Sequence, residues 1–258
     1  MPDKLASLFR PRSVAVIGAS DSPLKISYSC VESLADGGFA GRILPVNPRA
    51  SEVRGLTAYR SIEDIPCKVD MAVIAVPANL VPAALEDCAR KGIGAAVIIT
   101  AGFKETGTES GIRLQNDLGD IAHRTGIRFL GPNTVGLVSP HVGLNATFMP
   151  SFKDVSRGAV AVVCQSGGVC AFLLHKAINE NLGISAALSV GNRANLDFSD
   201  IIEHLDADPR TRAIALHVEG VGNPLDLVER AGRVARRKPI VVYKPQGSLL
   251  DKAACSHT

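Results

Sequence analysis

The sequence predicts an α/β protein: parallel sheets covered on both faces, in two consecutive units. Three observations predict it. Short runs rich in Val, Ile and Ala recur along the chain, and most end in Gly, Pro or Asn. Stretches of helical period separate them. The short runs are predominantly apolar, without the regular alternation of a sheet that has one wet face, as expected for strands buried on both sides.

Residues 13–18 (SVAVIG) form the first buried strand, and a helix over 28–36 is closed by Gly37-Gly38. Residues 42–46 are the second strand, ended by Asn47-Pro48; residues 70–76 are the third, stopped by Pro77. A helix over 80–91 takes Gly92 as its cap. Residues 95–100 are the fourth strand, 110–125 a helix, and 128–130 start the fifth strand. A looser stretch, 139–157, carries Pro140, Gly143 and Pro150, and the domain boundary is expected within it. The expected domains are therefore 1–144 and 145–258. The second repeats the grammar, with strands at 159–164, 184–190, 213–218 and 240–243. Its helices are expected near 169–181, 199–205 and 224–237, as a second parallel unit that stops after its fourth strand.

Composition excludes several classes. Aromatic residues are 4% of the chain with no Trp, which leaves few platforms for stacking nucleic-acid bases. The net charge is only +3. The one dense basic run, Arg233, Arg236, Arg237 and Lys238, suits the solvated C-terminal end of a helix. No apolar run reaches the roughly 18 residues of a membrane span, and residues 1–9 lack the apolar core of a signal peptide. Six cysteines occur without a C-x-x-C pair, several inside apolar runs. That pattern reads as buried free thiols in a reducing, cytoplasmic compartment, with no metal site.

In open parallel sheets ligands sit beyond the C-terminal strand ends, so those ends carry the candidates. After the first strand comes Gly18-Ala19-Ser20-Asp21-Ser22, which lacks a full G-x-G-x-x-G. It is either a phosphate-binding turn, with Lys25 adding charge, or an ordinary strand-to-helix turn. Asn47 and Arg49 follow the second strand, where an NAD enzyme needs an acid for the ribose. The pattern leans towards a phosphate-bearing nucleotide other than NAD. Val76-Pro77, Ala101-Gly102-Phe103 and Gly131-Pro132-Asn133 complete that edge. In the second half, Cys164-Gln165-Ser166-Gly167-Gly168 is not a serine-hydrolase elbow. It reads as an anion site at a helix N-terminus or as simple N-capping by Ser166. Glu219-Gly220 ends a strand, placing a carboxylate to orient a histidine or merely to be solvated. His257, in the small-residue segment 253–258, suits a mobile group carrier, or is a chance residue at a frayed end.

These motifs together resemble the ADP-forming (NDP-forming) acyl-CoA synthetases, relatives of the succinyl-CoA ligase α chain. The resemblance rests on SVAVIGAS at 13–20, GRILPVNP at 41–48, AVIAVPA at 72–78, AAVIITAGF at 95–103 and GIRFLGPN at 126–133. HVGLNATF at 141–148, QSGG at 165–168, SVGNRANLD at 189–197, HVEG at 217–220 and the terminal SHT extend it to nearly the whole chain. It implies a Rossmann-like CoA-binding domain followed by a flavodoxin-like parallel α/β CoA-ligase domain. It implies CoA contacts at Gly18, Ser20, Lys25, Asn47, Arg49, Val76, Pro77, Ala101, Gly102 and Phe103. It implies that His257 is transiently phosphorylated and steadied by Glu219. Phosphate is expected at Gly131, Pro132, Asn133, Gln165, Ser166 and Gly167. The implied substrates are an acyl-CoA or carboxylic acid and phosphate. ATP or ADP with Mg2+ is expected only on an ATP-grasp domain or partner chain beyond this sequence, in an oligomer, with no nucleic acid or membrane as partner. Cys164 and Thr134 stand where the family usually has Ser and Cys. The alternative is a CoA-sensing regulatory module, as in the synthetase-like part of a protein lysine acetyltransferase.

Overall fold

A computed structural model describes residues 5–245. A short helix, α1 (Ala6–Phe9), leads into the first sheet unit. That unit runs β1 (Ser13–Ile17), α2 (Ile26–Asp36), β2 (Arg42–Val46), a small hairpin of β3 (Glu52–Val53) and β4 (Leu56–Thr57), and β5 (Met71–Ile74). It continues α3 (Val81–Arg90), β6 (Ala95–Ile98), α4 (Glu109–Thr125) and β7 (Arg128–Leu130). The sheet order is β2-β1-β5-β6-β7, parallel throughout. The chain winds one way from β1 to β2 and the other way from β1 to β5. That reversal opens a crevice beyond the C-terminal strand ends.

The second unit contains β8 (Gly136–Ser139), β9 (Leu144–Thr147), β10 (Arg157–Cys164), α5 (Gly167–Asn179) and β11 (Ile184–Ser189). Then come α6 (Phe198–Ala207), β12 (Ala213–His217), α7 (Pro224–Ala235) and β13 (Ile240–Tyr243), in a sheet ordered β13-β12-β10-β11-β8-β9. Four of these strands are parallel, as expected. The β8–β9 pair is an antiparallel hairpin joined antiparallel to β11.

That hairpin occupies much of the stretch expected to be loose. Its polar residues hid it. Asn145 and Thr147 are 2% and 1% exposed, because each finds a partner indoors. Thr147 Oγ1 donates to Asn145 Oδ1 at 2.7 Å, and Asn145 Nδ2 donates to the Met149 carbonyl at 3.0 Å. Sheet membership therefore changes between Leu130 and Gly136, ahead of the boundary expected near residue 145.

Period two divides each strand between two cores. Val14 and Val16 face a central layer that also holds Leu34, Leu137, Leu144, Leu188 and Ile202. Ala15 and Ile17 face α3 and α4, with Leu85, Leu118 and Phe129. Ala161 and Val163 join the central layer, while Val162 and Cys164 pack beneath α5 with Cys170 and Leu174. The central layer is continuous through both units, so neither is a free-standing bead. Helix ends are locally encoded. Thr108 caps α4, which ends at Gly126 with φ +78. Asp197 and Asp200 form a capping box on α6.

The described cysteines are all free. Burial pushes the Cys30 thiol up to about 12, and burial with the nearby Asp87 charge does the same for Cys88. These are packing residues, not reactive thiolates. Among the described residues no helix is long and apolar enough to cross a membrane, and no His, Cys, Asp and Glu cluster could hold a metal.

Candidate functional site

The C-terminal edges of both sheets open onto one cavity of about 930 Å³. Ala75, Val76 and Pro77 follow β5, Thr100 and Ala101 follow β6, and Asn133 to Val135 follow β7. From the second unit come Gln165 to Gly168 after β10, Gly191 to Arg193 after β11, and Glu219 after β12. Ile26, Phe148, Met149 and Ala171 form an apolar part of the wall.

A seam between the units builds this cavity. Residues 191–196 lie along β7. Asn192 N donates to the Pro132 carbonyl at 2.9 Å, Ala194 N to the Gly131 carbonyl at 3.1 Å, and Leu196 N to the Phe129 carbonyl at 3.2 Å. Asn195 Oδ1 accepts from Phe129 N at 3.0 Å. The edge strand of the first sheet is thus paired by a loop of the second unit. Glu105 pins the same seam. Its Oε1 accepts from Gly102 N at 2.6 Å and Phe103 N at 3.1 Å, and its Oε2 accepts from Asn192 Nδ2.

Glu219 is not a solvated loop acid. Its side chain is only 6% exposed, at the cavity wall, with His217 Nε2 at 4.0 Å from Oε1. Gln165 sets the turn that presents it: Gln165 Oε1 accepts from Glu219 N at 3.1 Å and from Gly220 N at 2.9 Å. Ser166 caps α5, its Oγ accepting from Val169 N at 3.3 Å. The first turn of a 13-residue helix then faces the cavity through Gly167 and Gly168. Uncapped N–H groups and the positive end of the helix dipole make that position favourable for an anion.

Of the expected CoA contacts, Val76, Pro77 and Ala101 line the cavity; of the expected phosphate contacts, Asn133, Gln165, Ser166 and Gly167 do. Among the described residues, the remaining expected CoA and phosphate contacts lie off its wall. Gly18 has φ +87, and a Cβ there would stand 2.7 Å from Val76 Cγ1, so glycine permits β1 and β5 to end side by side. Ser20 is 7% exposed and its Oγ accepts from Ser22 N at 3.2 Å. Lys25 and Arg49 are exposed. Asn47 is a latch: Nδ2 donates to the Ala19 carbonyl at 2.6 Å, while Oδ1 accepts from Arg49 N at 2.7 Å and Ala50 N at 3.1 Å. Gly102 and Phe103 have their N–H groups taken by Glu105, and the Phe103 side chain is fully buried. Gly131 and Pro132, joined by a cis peptide bond, are buried in the seam. His257 lies outside the described residues.

The two family departures are also placed. Cys164 is fully buried beneath α5. Thr134 donates its hydroxyl to the Ser189 carbonyl and accepts from Gly136 N at 3.0 Å. Sequence reasoning missed Glu105, Asn192 and Arg193 as cavity residues. The only available signal was polar residues next to glycine beyond a strand end.

Asn47→Ala removes the latch on the 18–20 turn and strands two donors. It is expected to cost about 2 kcal/mol, read as a fall in Tm of roughly 4–8 °C. An unchanged Tm would show that the turn holds itself.

Comparison with known proteins reveals the same two-part division. Residues 12–140 match the family described as CoA binding domain, and residues 157–258 the succinyl-CoA ligase like flavodoxin domain. The chain is 43% identical over 251 residues to ADP-forming acetate–CoA ligase II subunit alpha of Pyrococcus furiosus, covering 97% of this chain and 54% of that protein. It is 44% identical over 259 residues to the I subunit alpha of the same organism, covering 98% and 55%. The chain thus spans about half the length of the curated relatives it matches. The fold superposes on the dinucleotide forming acetyl-coenzyme A synthetase 1 of Ca. Korarchaeum cryptofilum, a complex with phosphate and ADP, with a TM-score of 0.92 and 42% identity. That match covers 99% of this chain and 55% of the other. Two matched domains in this order, with identity sustained along nearly the whole chain, place it in the ADP-forming acyl-CoA synthetase family, as a CoA-binding domain followed by a succinyl-CoA-ligase-like flavodoxin domain.

Proposed function

We propose that this chain is the CoA-binding and phosphohistidine-bearing portion of an ADP-forming acyl-CoA synthetase. The whole enzyme interconverts acyl-CoA, ADP and phosphate with carboxylic acid, CoA and ATP. An ATP-grasp domain or partner subunit supplies the ADP or ATP site with Mg2+, in the cytoplasm. The observation that carries the reading is the meeting of both sheet edges, the α5 N-terminus and the Glu219 carboxylate in one cavity.

The chemistry follows from that arrangement. CoA lies across the C-terminal edge of the first sheet, against Val76, Pro77 and Ala101, with its thiol in the cavity. Phosphate attacks the thioester carbonyl, the carbon–sulfur bond breaks, and CoA leaves as the thiol, giving acyl phosphate. The α5 N-terminus with Gly167 and Gly168, and Asn133 on the same cavity wall, hold the phosphoryl oxygens where negative charge concentrates. The His257 imidazole then takes the phosphoryl group, releasing the carboxylate. Neutral imidazole is nucleophilic near pH 7. The Glu219 carboxylate steadies the positive ring of the phosphohistidine.

The relatives named above are ligases, and nothing in the cavity favours the regulatory-module alternative over catalysis. The direct test is a thermal-shift titration with CoA, with NAD as control. At 100 times its dissociation constant a ligand stabilises by about 2.7 kcal/mol, and a CoA-selective rise in Tm is expected. A rise with NAD alone would sink the reading. In the complete enzyme, His257→Ala is expected to abolish synthesis and to leave CoA affinity unchanged.

A further inference from the structure

The charged side chains lining the cavity, among the described residues, are Lys104, Glu105, Arg193 and Glu219. Lys104 is exposed. Glu105 gives both carboxylate oxygens to protein donors. Glu219 is reserved, in the proposed function, for the histidine. Arg193 has no role there, yet it sits in the wall with a side chain only 16% exposed.

Two unfavourable features meet at this residue. Its backbone has φ +56, the left-handed region that an arginine seldom occupies. Its Nε is buried without a hydrogen-bond partner. A strained backbone and an unsatisfied side-chain donor at one residue are costs that folding alone does not explain. One end of the guanidinium is fixed: Nη1 donates to Asp197 Oδ2 at 3.0 Å. The other end, Nη2, would stand 3.8 Å from a Cβ on Gly220, beside the turn that presents Glu219. No ion pair joins Arg193 to Glu219 among the described residues. The turn carrying Arg193 is held rigidly, since Asn192 and Ala194 are both bonded to the seam and a Cβ on Gly191 would stand 2.3 Å from the Pro132 carbonyl oxygen.

A phosphate dianion entering this cavity meets the Glu219 carboxylate in a partly dehydrated space. Like charges at that range repel strongly. A fixed guanidinium in the same wall offsets the repulsion without reorganising. We propose that Arg193 is a phosphoryl-binding residue of this cavity, with Nη2 donating to a phosphoryl oxygen while Asp197 holds the opposite end of the side chain. The inference rests on the proposed function and adds a side chain to a phosphate site otherwise built from backbone N–H groups and amides.

The test titrates the 258-residue chain with inorganic phosphate by calorimetry, as wild type, Arg193→Lys and Arg193→Gly. Glycine accepts φ +56, so that variant keeps the turn. Phosphate affinity is expected to fall about 10- to 100-fold in Arg193→Gly, with only partial recovery in Arg193→Lys, which lacks the planar fork. CoA affinity is expected to stay the same in all three. A parallel titration with acetyl phosphate separates the free ion from the acyl-bound group, and weakening of either supports the assignment. Equal phosphate affinity in all three chains overturns it. So does a wild-type chain that binds CoA but neither phosphate probe, and in that case the CoA reading stands. Phosphate binding that depends on Arg193 in a chain that ignores CoA would keep the assignment and remove the CoA reading.

Discussion

Glu219→Gln is expected to lower the yield of phosphorylated histidine roughly 100-fold, the scale of losing one preorganised electrostatic contact in a water-poor site, while CoA affinity holds. The substitution keeps size and shape and removes one charge. The position is well suited to the test. The side chain is 6% exposed, so little water screens its charge, and its turn is set by two N–H bonds to Gln165 Oε1 that the variant retains. The measurement is phosphoenzyme formed from acyl-CoA and labelled phosphate, quenched and counted in wild type and variant. Equal yields would return Glu219 to a buried anchor with no part in the transfer.

Gly191→Ala is expected to destabilise the chain by about 3 kcal/mol or more, from left-handed strain and overpacking combined. Gly191 has φ +55, and an added Cβ would stand 2.3 Å from the Pro132 carbonyl oxygen and 2.6 Å from that of Asn133. Both contacts are backbone, so no side chain can swing aside. The clash falls on the seam that brings the second unit's loop to β7. The variant therefore loses cavity binding together with stability. Gly126→Ala is the control. It shares a left-handed φ, +78, but a Cβ there meets nothing within 4 Å. Its cost is about 1 kcal/mol, strain alone. Denaturation midpoints of the two variants check the difference. Equal losses would mean that strain, and not the close approach at the seam, accounts for Gly191.

The strands and helices were legible because each carries a local reason. Residues 42–46 and 240–243 match the observed strand bounds, since apolar runs between turn residues leave few choices. The expected helix ends fall within two residues of the observed ones, and Gly37-Gly38 and Gly92 mark two of them. The β8–β9 hairpin was not legible, because Asn145 and Thr147 look like loop residues until their partners are known. At the site, Val76, Pro77, Ala101, Asn133, Gln165 and Ser166 were reachable from their positions just past the C-terminal ends of strands. The same rule proposed Asn47, Gly102 and Phe103. There the polar groups serve the protein itself, as a latch on Ala19 and as donors to Glu105.

By itself the sequence determined the class of fold, its two-part order and the family to which the chain belongs. It also pointed to Val76, Ala101, Asn133, Gln165 and Glu219, just past strand ends and now seen on the cavity wall, because period-two burial and turn chemistry act over a few neighbouring residues. Only the tertiary structure decided that the two sheets share a central core and open on a common cavity. It alone placed Glu105, Asn192 and Arg193 at that cavity and turned Gln165 to present Glu219. Those outcomes depend on contacts between residues far apart in the chain, such as Gln165 with Glu219 and Asn192 with Glu105. No local pattern encodes such pairs; they form when apolar faces of separate elements are buried together and the polar groups caught between them must find partners.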